Sequence, residues 1–285
     1  MRIDLHTHSL ASDGTVAPAD LMTAASAAGL DVIGLTDHDT TAGWAAAAAA
    51  LPAGLTLVRG AEFSTYVTVP RSIVSVHLLA YLFDPLDPVI VREQERLRAE
   101  RLQRGLQMVE LMMADGLPIT QEQVLAIAAG APVGRPHIGR ALVESGVVGS
   151  VDEAFDGYLA GRGSYYVPKL DIELLPAVRM IVAAGGAPVV AHPRGRGEGR
   201  ALTPQLIAEL AAAGLVGLEV DHLDHDDADR AELRGIAAEL GLLVTGSSDF
   251  HGTNKKVQLG ANLTDPAALE DLVTRTSGVT PLVTA

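Results

Sequence analysis

Short apolar runs alternate with helix-like segments along most of this chain, and no other feature of the sequence restricts the fold as strongly. Residues 3–5, 32–35, 55–58, 75–81, 188–191, 217–220 and 242–245 read as seven strands. Residues 18–28, 43–51, 204–213, 226–240 and 266–275 read as helices between them. Gly29, Gly214 and Gly241 stand just past the last apolar residue of three of these helices, where the chain must leave helical geometry. Strands joined through helices lie parallel in one sheet. A full barrel of this kind has eight. The expected fold is therefore α/β, a distorted seven-stranded (β/α) barrel.

From Asp84 to about Pro168 the alternation stops. Residues 89–114 read as one long charged helix, with shorter helices near 121–129, 136–144 and 152–159. The expected organisation is a barrel built from 1–84 and 168–285, with 85–167 inserted as a helical cap over its mouth. The Gly- and Arg-rich stretch 194–200 is expected to be a mobile loop.

Composition narrows the function. Aromatics make up only 4% of the chain against 48% hydrophobic residues, so Ala, Val and Leu must fill the core. Asp and Glu number 35 against 21 Lys and Arg, a formal charge of −14. A surface that acidic repels long polyanions, which argues against long duplex nucleic acid as a partner. It does not exclude a small phosphorylated substrate in a locally positive site. Cysteine is absent, so any metal must be held by His, Asp and Glu, donors that suit Mn, Zn or Fe. No charged segment followed by an apolar run opens the sequence, and the longest Ala-rich stretch, 45–51, is too short to span a bilayer. A cytoplasmic protein with no membrane partner is expected.

Seven of the nine histidines fall at or just beyond the C-terminal ends of the strand candidates: His6, His8, His38, His77, His192, His222 and His251. In parallel α/β folds catalytic groups converge on that face. His6 and His8 are two residues apart, so in extended chain their rings leave the same side. Asp249 and His251 repeat the spacing after the last strand. One such pair means little. Two pairs at opposite ends of the chain meet only if the sheet curls round, and so many imidazoles in one pocket need a cation to hold them.

The motifs Asp4-Leu5-His6-Thr7-His8, Ser12-Asp13-Gly14, Leu35-Thr36-Asp37-His38-Asp39, Gly60-Ala61-Glu62, Ala191-His192-Pro193 and Ser248-Asp249-Phe250-His251 resemble those of the PHP (polymerase and histidinol phosphatase) phosphoesterases. Their form is similar to the branch acting on nucleotides and RNA ends. The resemblance implies hydrolysis of phosphate esters by a metal-bridged hydroxide, with two to three divalent ions (Mn, Zn or Fe). It implies that His6, His8, Glu62 and Asp249 hold one ion, that Glu62, His77 and His192 hold a second, and that Asp13, His38 and His251 hold a third. Three carboxylates and a hydroxide would leave such a cluster about two positive charges, matching a phosphomonoester dianion. Asp249, at the reacting centre, and His222, as proton donor to the leaving oxygen, are the catalytic candidates.

Asp37 and Asp39 flank His38 and are expected to orient ring N–H groups. Arg135 and His137 open a helix candidate, and Lys169 follows Pro168; these three, with His222, are the substrate-binding candidates, matching the family's grip on substrate phosphate. His225 lies in an acidic run with Asp224, Asp226, Asp227 and Asp229 that is expected to be solvated. The expected substrate is a nucleoside 3′,5′-bisphosphate or a short 5′-phosphorylated RNA. Two rival readings stay open. An amidohydrolase-type barrel also opens with His-x-His, but often bridges its metals with a strand lysine, and no strand candidate here contains one. A non-catalytic metal-binding regulatory domain would be expected to have lost ligands, and none of the nine positions is missing.

Overall fold

The computed structural model describes residues 1–70, 72–161, 163–195 and 201–284. Of the expected loop 194–200, positions 196–200 lie outside the described residues. The strands are β1 (Ile3–Thr7), β2 (Val32–Leu35), β3 (Thr56–Val69), β4 (Ser72–Tyr81), β5 (Ile172–Glu173), β6 (Ala187–Val190), β7 (Gly217–Asp221), β8 (Leu243–Gly246) and β9 (Leu282–Val283). The helices are α1 (Pro18–Ala27), α2 (Trp44–Ala49), α3 (Pro88–Ala114), α4 (Gln121–Ala128), α5 (Arg135–Glu144), α6 (Val151–Asp156), α7 (Leu174–Ala183), α8 (Pro204–Ala212), α9 (Asp227–Leu240) and α10 (Pro266–Thr274).

Seven strands run in the order β1-β2-β3-β4-β6-β7-β8, and a bridge between Thr7 and Phe250 brings the two ends of the sheet together. The result is a nearly closed seven-stranded barrel. One expectation needs correcting: the barrel is not all parallel. Strand β4 is antiparallel to both β3 and β6, because β3 and β4 form a long hairpin. The sequence reading stopped β3 at residue 58, whereas it continues to Val69. His77 is thus not at the C-terminal end of a parallel strand. It lies inside β4, opposite Ser64.

Apolar residues on alternate strand positions face opposite ways. Ile33, Leu35, Leu57, Leu78, Val190, Leu218 and Val220 pack outward with helices α1, α2, α7, α8 and α9. Ile3, Val32, Val58, Leu79, Tyr81 and Val189 cluster with Leu269 and Leu272 of α10. Strand β1 changes phase along its length. Its register on β2 shifts between Asp4 and Thr7, a bulge, so Leu5 stays with the Ile3 cluster while His6 and His8 both turn toward the site. A second shift lies between Glu219 and Asp221 on β7. Bulges re-aim side chains in this way beside active sites.

Gly34 explains how β1 fits. A Cβ there would lie 2.1 Å from the Leu5 carbonyl oxygen. The bulged backbone of β1 therefore presses on β2 where only glycine leaves room, and the Gly34 carbonyl accepts from Thr7 Oγ1 at 2.6 Å.

Helix α3 spans 27 residues. Its first half packs Ile90 and Leu97 into the outer barrel core, and its second half contributes Met108, Val109 and Met112 to a separate apolar cluster with α4, α5 and α6. Asp87, Thr120 and Ser150 cap the N-termini of α3, α4 and α6 by accepting from backbone N–H groups. Helix α7 escaped the sequence reading, although Leu174, Ala177, Val178 and Ile181 have helical spacing and are buried. No helix among the described residues is long and apolar enough to cross a membrane.

Candidate active site

Every strand of the barrel path delivers one or more polar groups to the site. His6 lies on β1, and His8 and Asp13 follow it; His38 follows β2; Glu62 is on β3 and His77 on β4. His192 follows β6, Glu219 is on β7 with His222 just beyond, and Asp249 and His251 follow β8. Three of these segments turn on non-glycine residues in the left-handed region: Asp39 (φ 53°), His192 (φ 27°) and Asp249 (φ 52°). Such backbone is held only where surrounding contacts over-determine it, typically at functional sites.

Glu62 is the hub. Its Oε2 lies 3.3 Å from His6 Nε2, 3.1 Å from His8 Nε2 and 3.1 Å from His38 Nδ1. Its Oε1 lies 2.7 Å from His77 Nδ1 and 3.2 Å from His192 Nε2. Asp249 Oδ1 sits 3.4 Å from both His6 Nε2 and His8 Nε2. On the other flank, Asp13 lies 3.4 Å from His251 Nε2 and 3.7 Å from His38 Nε2. Among the described residues, three groups have donor atoms close enough to share an ion: His6, His8 and Asp249; His8, Asp13, His38 and His251; and His38, Glu62 and His77. The third differs from the expected set in joining His38, rather than His192, to Glu62 and His77.

The donor set fits divalent ions. His38 Nδ1 and Asp249 Oδ1 are buried with no hydrogen-bond partner among the described residues. Orphaned buried polar atoms are rare unless something fills the gap between them. All the donors are nitrogen or oxygen. Supporting contacts also fix the tautomers. His6 Nδ1 pairs with Glu219 Oε1 at 3.0 Å and His251 Nδ1 with the Asp249 carbonyl at 2.9 Å, leaving each Nε2 turned inward.

The electrostatics carry the same message. Burial lowers the pKa of His6, but Glu219, Glu62 and Asp249 outweigh it and hold the ring well above its ordinary value. Burial likewise lowers His8, yet Asp249 and Glu62 lift it to about 9. Burial raises Glu62, Asp13 and Asp249, and the neighbouring imidazoles, with Lys255 foremost at Asp249, nevertheless drive all three well below the carboxylate range. Without metal, His6 and His8 hold protons against burial, whereas at His38 and His251 burial prevails and lowers both.

Several groups went unread in the sequence. Glu219 is fully buried and joins His6 to the His192 N–H (2.8 Å) and to Ser247 Oγ. An acidic residue between Leu218 and Val220 of a buried strand was the available signal, since such a charge needs partners. Arg101 reaches from α3 to Asp39 and Ser64. Lys255 pairs with Asp249 Oδ2.

Asp37 and Asp39 do not orient imidazoles. Asp37 accepts from Ser9 and Ser12, fixing the loop that carries Asp13, and Asp39 accepts from Ser64 and Arg101. His225 is not solvated. Its Nδ1 donates to the Val220 carbonyl (2.8 Å) and its Nε2 accepts from the Arg194 N–H (3.1 Å). The acidic neighbours Asp224, Asp226 and Asp227 are exposed.

The remaining candidates have defined positions. His222 Nε2 faces Asp249 Oδ2 at 3.3 Å while its Nδ1 accepts from the Asp224 N–H. Arg135 donates to the Leu159 carbonyl at 3.2 Å and lies over the Phe155 ring. His137 Nδ1 accepts from the Gly134 N–H at the start of α5. Lys169 pairs with Asp171 at 3.1 Å. Burial, then Arg101, lowers its pKa to about 8.

A barrel whose mouth gathers imidazoles around shared carboxylates defines a metal-dependent hydrolase. The PHP domain matches residues 4–109, from the His6–His8 motif past His77. The chain is 35% identical over 251 residues to the 3′,5′-nucleoside bisphosphate phosphatase of Chromobacterium violaceum, covering 87% of each. It is 32% identical over 263 residues to the 5′-3′ exoribonuclease of Haemophilus influenzae, covering 92% of this chain and 94% of that one. A structure from Bifidobacterium adolescentis assigned as a metal-dependent phosphoesterase superposes with a TM-score of 0.90 at 37% identity, covering 96% of both chains. The chain belongs to the PHP family of metal-dependent phosphoesterases. Family membership weighs against the amidohydrolase reading, as does the lack of lysine in the described strands of the barrel.

Proposed function

We propose that the chain removes phosphate from a nucleoside 3′,5′-bisphosphate or trims a short 5′-phosphorylated RNA from its 5′ end, with two or three divalent ions held by His6, His8, Asp13, His38, Glu62, His77, His192, Asp249 and His251. The observation that carries the reading is the convergence of five imidazoles on the Glu62 carboxylate. The ions supply charge neutralisation at the phosphoryl oxygens and water deprotonated near neutral pH.

The chain's own groups supply the rest. His222 carries its proton on Nε2, since Nδ1 accepts from the backbone, and it faces the Asp249 carboxylate. In this reading that N–H donates a hydrogen bond to the leaving oxygen and stabilises the charge developing there. Asp249 anchors the reacting centre. Arg135, His137 and Lys169 hold a second phosphate that does not react, and helices α3 to α6 act as a cap, 85–167, over the barrel of 1–84 and 168–285. A cap admits single-stranded ends and excludes structured duplex. A cytoplasmic site of action, where nucleotides and RNA ends are found, goes with this reading.

The test is turnover of 3′-phosphoadenosine 5′-phosphate beside a short 5′-phosphorylated RNA, with a duplex as control. Metal-dependent release of phosphate or nucleotide from one of the first two, and poor turnover of duplex, is the expected result. Rapid cleavage within duplex would overturn the cap.

A further inference from the structure

Helix α3 sends one buried cation into the barrel. Arg101 donates through Nε to Asp39 Oδ2 and through Nη2 to Ser64 Oγ at 2.7 Å. Asp39 in turn accepts from Ser64 N at 2.7 Å and from Ser64 Oγ at 2.8 Å. The Arg101 side chain is 9% exposed and that of Asp39 is fully buried. Two members of this triangle, Asp39 and Ser64, adjoin residues of the His38–Glu62–His77 group. Asp39 follows His38 directly, and its N–H donates to the Glu62 carbonyl at 3.1 Å. Ser64 lies two residues beyond Glu62 on β3 and pairs across the hairpin with His77.

Asp39 also holds left-handed backbone, which a non-glycine residue keeps only under restraint. Arg101 and Ser64 restrain its carboxylate, and the bond from its N–H to the Glu62 carbonyl restrains its backbone. Without the first two, the turn after His38 would be left to that backbone bond. The arginine comes from the helical segment, not the barrel. Its neighbours on α3 hold the returning chain as well: Arg96 donates to the Leu170 carbonyl at 2.6 Å and Arg104 to the Val167 carbonyl at 2.7 Å.

We propose that Arg101 is a positioning residue that clamps Asp39 to Ser64, so that the His38–Glu62–His77 group can hold its ion only while α3 is seated on the barrel. This rests on the metal-dependent reading above.

The experiment measures binding of Mn²⁺ alone, by the loss of its free-ion electron paramagnetic resonance signal, in the full-length protein. The variants are Arg101→Met, Arg101→Lys and the double variant Arg101→Met/Asp39→Asn. The double variant removes both buried charges together, which avoids stranding an unpaired carboxylate. Wild type should bind two to three equivalents. The double variant should fold with a native circular dichroism spectrum yet lose one equivalent or bind it at least tenfold more weakly, and Arg101→Lys should recover part of that loss. A double variant with wild-type stoichiometry and affinity, even at a lowered melting temperature, would reduce Arg101 to a structural tie and overturn the proposal. Wild type that binds no metal would instead overturn the metal-dependent reading itself.

Discussion

Glu219 Oε1 lies 3.0 Å from His6 Nδ1, and through this contact β7 fixes the ring that β1 presents to the metal site. The other oxygen of the same carboxylate accepts from the His192 N–H at 2.8 Å. One buried side chain thus sets the His6 tautomer and the left-handed turn at His192. Partners of this kind are worth ten- to a hundredfold in metal affinity or activity. Glu219→Gln places an amide where three donors now converge, so kcat/KM should fall by roughly that factor. Stability should fall by about 1–3 kcal/mol, read from denaturant unfolding. Metal affinity and turnover equal to wild type would show that His6 needs no such support.

Removing metal should abolish hydrolysis. After chelation and dialysis, activity should be absent, and Mn, Zn or Fe should restore it. His8→Ala and Asp249→Ala should remove activity while leaving a folded barrel, since the apolar clusters lie elsewhere. Ions that bind only the folded chain should also raise its melting temperature. Full turnover in protein shown by elemental analysis to be metal-free would sink the mechanism.

The sequence announced most of this site, and the physical reason is visible in its spacing. The candidate metal donors came in short motifs at strand ends, where local sequence alone determines which side chains share a face. What it hid depended on pairing over long distances. The β3–β4 hairpin brought His77 in from an antiparallel strand, and the turn residue that marks the reversal, Pro70 after Val69, went unread. Glu219 could be valued only once its partners 213 and 27 residues away were known. Arg101 looked like one charge among many on a long polar helix. Asp37 and Asp39 were read by adjacency to His38, but their carboxylates satisfy backbone and hydroxyl donors instead of rings.

Gly34 gives a stability test of the bulge that aims His6. Alanine there would press on the Leu5 backbone, which has no flexible end to move aside. Gly34→Ala should cost at least ~1–3 kcal/mol, the usual range for overpacking, and more if β1 cannot shift. A wild-type melting temperature would mean that β1 and β2 separate more easily than their register suggests.

Arg135 is expected to separate recognition from chemistry. Arg135→Ala should penalise a bisphosphate far more than an aryl monophosphate, because only the former has a second phosphate to lose. A charge-assisted contact is worth ~1.5–3 kcal/mol, roughly ten- to a hundredfold in kcat/KM. The Phe155 contact and the Leu159 carbonyl tie Arg135 to α6 and the chain beyond it, so the melting temperature must be measured alongside. Equal losses on both substrates would assign it to the fold or to the reacting group.

Lys169 should give the same discrimination a pH dependence. Burial, reinforced by Arg101, lowers its pKa to about 8, with Asp171 opposing from 3.1 Å. The amine is therefore a cation below about 8 and neutral above it. If it grips the second phosphate, kcat/KM for a bisphosphate should decline relative to an aryl monophosphate as pH rises through that value. The ratio matters because titration of the metal centre affects both substrates and cancels. The profile of kcat/KM reports the free enzyme, so binding of the dianion does not shift the expected midpoint. Lys169→Met should flatten the ratio and hold it near its alkaline limit, and Lys169→Arg should keep it high to beyond pH ~10, since guanidinium stays charged. A ratio independent of pH in wild type would remove Lys169 from substrate binding and leave it as the partner of Asp171.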